Sequence, residues 1–155
     1  MAATRHGVGG PLVRLRSERL CHSGGMAMPA MPHPHLVVLR SAATLIISCV
    51  VAQAGFAAAI LNGEPERLRN HQVGAWVTLA VTLGAAVVYL VLRRSAGTVN
   101  VTLAVLLAVA VTGQFALGRY DVRAWHIFLG VLVAMLATAL TSWTYRHAMP
   151  DEVRA

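Results

Sequence analysis

The stretch Val73–Leu92, VGAWVTLAVTLGAAVVYLVL, carries no charge and stands between His71 and the pair Arg93-Arg94. It has the length of the ~20 apolar residues that a helix needs to cross a hydrocarbon core of about 30 Å. Three further runs of the same kind flank it, Leu36–Leu61 before and Val99–Leu117 and Ala124–Tyr145 after, and only the first holds a charge, Arg40 near its start. Lipid offers no water to an unpaired N–H or C=O, so a spanning segment must satisfy its backbone internally. The runs therefore predict helices, since a β-barrel would show short alternating segments instead. The expected fold class is all-α, a four-transmembrane-helix bundle over residues 36–146.

Composition fixes the same solvent. The 155-residue chain is 57% hydrophobic and 12% charged, with a mean hydropathy of +0.63, against roughly 25% charged residues in an average soluble domain. The net charge of +7 comes entirely from arginine, because the sequence has no lysine. The arginines lie in the tails and between the apolar runs, where they read as topology signals rather than as the clustered basic face of a nucleic-acid binder. Nucleic acid is excluded as a partner on that ground, and the lipid bilayer takes its place.

Residues 1–35 are rich in Gly, Pro, Met and Arg without apolar periodicity, and are expected to be a disordered tail. Residues 147–155 form a second, short tail. Met26, Met28, Met31, His33 and His35 have the donor types of a soft copper site, but the same run reads more simply as a Pro-broken linker. Ala52-Gln53-Ala54 resembles a signal-peptidase site, yet the apolar run continues to Leu61, which a cleaved signal does not need. Cys21 lies in the tail and Cys49 inside the first run, so no disulfide is expected between them.

Arginine placement gives an orientation. Arg14, Arg16, Arg19, Arg40, Arg93, Arg94, Arg146 and Arg154 fall on one side, against Arg67, Arg69, Arg119 and Arg123 on the other. The bias predicts a multi-pass protein of a bacterial cytoplasmic membrane with both termini in the cytoplasm. Trp125, Trp143 and Tyr145 sit at the ends of the fourth run, as an aromatic belt requires.

The two halves of the chain repeat one pattern: a glutamine near the outer end of a helix, a loop, a histidine, a glycine, then a helix closing on arginine. These are Gln53, His71, Gly74 and Arg93 in the first half, and Gln114, His126, Gly130 and Arg146 in the second. The pattern suggests a two-fold helix-pair repeat. His71 and His126 begin co-directional helices and so lie at one depth, the placement that a six-coordinate haem iron asks of two imidazoles in a bundle. Below each histidine small residues share its face, Gly74, Ala75, Thr78, Thr82 and Ala85 on one helix and Gly130, Ala134, Ala137 and Thr141 on the other. Such a stripe leaves a groove for a macrocycle, but it is also ordinary membrane helix packing. Both readings of the histidines, haem ligands or interfacial residues without a ligand, stay open here. Gln53 and Gln114 are placed to bond a ligand or to clamp helices, and Arg67 and Arg123, with Arg69 and Arg119, to pair with propionates.

The segments Gln53…Asn70-His71-Gln72-Val73-Gly74 and Gln114…Trp125-His126-Ile127-Phe128-Leu129-Gly130 resemble one four-helix half of the haem A synthase family, and also uncharacterised bacterial four-helix membrane proteins. The resemblance implies a haem at the outer side, held by His71 and His126. It departs from the family in having one half rather than two, and no extra loop histidine or cysteine pair beside Glu64 and Glu66, so it does not imply the oxygenase activity. No catalytic constellation appears: the apolar runs hold no carboxylate, their Ser and Thr residues lack a neighbouring base, and no nucleotide-binding glycine motif is present. The expected function is binding of b-type haem for electron transfer or haem handling, with a membrane redox partner or a homodimer. The alternative is a cofactor-free membrane interaction or assembly subunit.

Overall fold

A computed structural model of the chain describes residues 33–148. Both expected tails, including the Met26, Met28 and Met31 run, lie outside these residues, apart from His33, Pro34 and His35 at one end and His147 and Ala148 at the other. Four helices follow in order, α1 Pro34–Leu61, α2 Arg67–Val91, α3 Arg93–Arg119 and α4 Arg123–Arg146. Each is long and apolar enough to cross a membrane. The all-α four-helix bundle is thus the fold. The helices exceed the apolar runs at nearly every end, because a backbone ladder does not stop where the side chains turn polar. The flanking arginines continue the helix while their heads reach the interface. α2 starts at Arg67 rather than Val73, which puts His71 in its second turn. Proline at the first position and the His33 ring, which accepts from His35 N–H, start α1.

The helices alternate in direction, each packed on its two sequence neighbours, with α1 closing the ring on α4. One end of the bundle carries the start of α1, the end of α4 and the α2–α3 turn, and is called here the terminal end. The other, the loop end, carries the α1–α2 and α3–α4 loops. The core lies towards the terminal end: Leu36, Leu39, Ile46, Tyr89, Leu107 and Leu140 are essentially fully buried. Within it a polar chain crosses all four helices. The Tyr89 hydroxyl lies 3.0 Å from Leu39 O and 2.8 Å from Thr144 Oγ1, and Thr144 Oγ1 lies 3.2 Å from Asn100 Oδ1, so two hydroxyl protons serve three contacts, while Asn100 Nδ2 donates to Ala96 O. With lipid outside, such bonds and close packing take the place of the hydrophobic effect between helices. The outward faces are apolar, with Val51, Val87, Val109 and Met135 among the well-exposed side chains. That surface meets lipid.

The α2–α3 turn is tight. Gly97 has φ +77° and interrupts α3 just after its first turn, and a Cβ there would stand 3.0 Å from His147 Cε1. His147 and His35 both converge on this turn, His147 Nε2 donating to Ser95 O at 2.9 Å and His35 Nδ1 lying 2.9 Å from Ser95 Oγ. Gly97→Ala combines a left-handed backbone with a clash, and is expected to cost about 1–3 kcal/mol. Thermal unfolding in detergent checks it, with Gly84→Ala, where a Cβ meets nothing within 4 Å, expected to be tolerated.

Candidate functional site at the loop end

Packing loosens towards the loops. Among the described residues none is fully buried beyond Val50, Thr78, Val111 and Val133 on the four helices. The reason is composition: this third of the bundle turns Gly, Ala, Gln and His inward where the other end has Leu, Ile and Tyr. The helices bring His71 and His126 together there, half-buried, with ring centroids 6.2 Å apart and planes at 82°. The depth match expected from co-directional helices is therefore met, and the two rings face each other across the bundle rather than lipid.

Each ring rests on the glutamine of the preceding helix. His126 Nδ1 lies 3.0 Å from Gln114 O. A carbonyl accepts only, so Nδ1 carries the proton and Nε2 keeps its lone pair, 3.4 Å from the Gln114 side-chain nitrogen at the long limit of a hydrogen bond. His71 makes no such hydrogen bond, and its Nδ1 is buried without a partner. Gln114 Oε1 is likewise buried and unpartnered. Two unsatisfied polar atoms in one half-buried cluster need a physical reason, because each costs about 1–3 kcal/mol.

The grooves expected beneath the histidines are not open. The side chain of Gln53, backed by Phe56, occupies the notch left by Gly74, and Gln114 Nε2 would stand 3.0 Å from a Cβ on Gly130. The glycines receive the chain's own glutamines, since a buried amide and a missing side chain fill one another's space. The pairing Gln53–Gly74 and Gln114–Gly130 gives the sequence repeat a structural counterpart. Gly118 admits the His126 ring in the same manner, a Cβ there standing 3.0 Å from its Cε1. The arginines are occupied too. Arg67 pairs with Glu64 at 3.2 Å and Arg123 with Asp121 at 3.1 Å. Both pairs are solvent-exposed and such pairs are worth about 0–1 kcal/mol, so a stronger anion displaces them readily.

Tyr89, Asn100 and Thr144 went unremarked in the sequence, although a tyrosine, an asparagine and a threonine within apolar runs are the residues that must find partners in lipid. Among the described residues no group of three or more His, Cys, Asp or Glu side chains is placed to hold a metal ion. Fold and surface define a multi-pass integral membrane protein whose loop end presents an imidazole pair. No family model, curated protein or solved structure matches the chain.

Proposed function

We propose that this protein binds b-type haem at its loop end through His71 and His126, for electron transfer or haem handling. One observation carries the reading, the 6.2 Å between the ring centroids. Two metal–imidazole bonds of about 2.0–2.1 Å, added to the reach of each ring, place centroids roughly 6.3 Å apart. The residues fit in a second respect. The Nδ1–H of His126 on a backbone carbonyl is the outer contact that fixes the tautomer and aims Nε2 at a metal. The resemblance to one half of the haem A synthase family supports the same pair.

Haem would supply a one-electron couple, its potential set by axial ligands, burial and hydrogen bonds. The residues' own part is simpler. His71 and His126 would hold the iron, with His126 Nε2 giving up its long contact with the Gln114 amide. Room for haem requires Gln53 and Gln114 out of their glycine notches, and Arg67 and Arg123, now on exposed carboxylates, would be the cations for its anionic groups. The arginine bias supports termini in the cytoplasm, which puts the site at the outer face of a bacterial membrane. A redox partner or a second copy of the chain would dock at this end. A cofactor-free interaction subunit is the second reading, and the filled glycine notches favour it.

The discriminating measurement is a reduced-minus-oxidised spectrum of protein expressed with ample haem and purified in detergent. A b-type band at up to one haem per chain is expected, and its absence would leave the cofactor-free reading.

A further inference from the structure

Where α1 meets α4 near the terminal end, Val37, Arg40, Ser41, Thr44, Leu45 and Tyr145 line a groove of about 550 Å³. We propose that this groove binds an anionic phospholipid, its phosphate on the Arg40 guanidinium and an acyl chain against Leu45. The site is independent of the imidazole pair. Arg40 is the one charge inside an apolar run. It has five N–H donors and spends them poorly: Nη2 donates to Tyr145 O at 3.4 Å, and Nε is buried without a partner. The guanidinium is held in place over the Tyr145 ring, 5.6 Å from its centroid. The Tyr145 hydroxyl and Thr44 Oγ1, 2.8 Å apart, add polar atoms beside it, and Ser41 is exposed at the rim.

Charge complementarity selects the occupant. Among the described residues the carboxylates are Glu64, Glu66 and Asp121, all in or beside the loops at the opposite end. No described acid therefore reaches Arg40, and a phosphate in forked contact is the acceptor that suits a guanidinium. A lipid rather than a free anion fits because the groove opens on the flank of the bundle, where exposed apolar Val37 and Leu45 line it beside the polar Arg40, Ser41, Thr44, Ser48 and Tyr145. Arg146, one helix turn from the same end, differs in the decisive respect. Its Nη2 donates to Ser142 Oγ at 2.6 Å and its Nε to Ser142 O at 3.3 Å, so the Nε that is orphaned in Arg40 is satisfied here.

The test is native mass spectrometry of the detergent-purified full chain with phosphatidylglycerol or phosphatidylcholine of identical acyl chains. Phosphatidylglycerol should be retained about five-fold over phosphatidylcholine, the size expected of one arginine at an anionic headgroup. Arg40→Gln should bring the ratio to about one, and Arg146→Gln should leave it near the wild-type value. Leu45→Trp fills the groove without touching the charge, and should also lose the preference should Arg40→Gln not fold. Equal retention of the two lipids by the wild type overturns the site. So does a preference that survives Arg40→Gln or Leu45→Trp in folded protein, or one lost equally in Arg146→Gln. Displacement of the lipid by millimolar inorganic phosphate would assign the groove to a free anion instead, and sink the proposal as well.

Discussion

His126→Ala and His71→Ala are each expected to abolish the low-spin b-type spectrum and to cut haem retention by more than the 10–100-fold typical of losing an outer-shell partner. The reason is geometric. The rings come from different helices, α4 and α2, and meet at 6.2 Å, so neither has a substitute on its own helix within reach of the same iron. Gln114→Ala separates ligation from mere packing. It keeps the backbone carbonyl that orients His126 Nδ1, and removes the side-chain nitrogen lying 3.4 Å from Nε2. Haem affinity should then hold or rise, while a protein without cofactor would lose only a clamp worth about 0.6 kcal/mol. A spectrum indifferent to both histidine changes would place the ligands elsewhere.

Tyr89→Ala is expected to be the most destabilising single change in the bundle, at about 3–5 kcal/mol, the range for truncating a buried aromatic. Tyr89 is fully buried, and its hydroxyl stands within hydrogen-bond distance of Leu39 O on α1 and of Thr144 Oγ1 on α4, which in turn stands within reach of Asn100 Oδ1 on α3. Tyr89→Phe divides the effect between volume and hydrogen bonding. Interhelical hydrogen bonds in membranes average about 0.6 kcal/mol and reach about 1.7 at most, so packing should dominate and the phenylalanine variant should keep most of the stability. Denaturation in mixed micelles followed by circular dichroism measures both. Comparable losses for Phe and Ala would overturn the packing account and assign the role to the polar chain. Because the network lies at the terminal end, neither change should alter a haem spectrum.

The four crossings were legible because hydrophobic length is a one-dimensional property. Val73–Leu92 needs no partner to be recognised as spanning, and the solvent imposes its helix. Equal depth of His71 and His126 was legible for a related reason, since helices alternating in direction bring every second helix start to the same end. The helix ends were not. α2 starts at Arg67, where charged side chains hide a backbone ladder that continues beneath them.

Sequence alone thus determined the number of crossings, the all-α class and the level of the imidazoles. Only the tertiary structure decided which small residues stay open and which are filled, as Gln53 on Gly74 shows. It alone decided that Tyr89, Thr144 and Asn100 meet, and that Arg40 faces Tyr145. Those outcomes depend on how each helix is rotated about its own axis. Rotation is set by side-chain fit between neighbours across the bundle, and hydropathy along one chain carries no term for it.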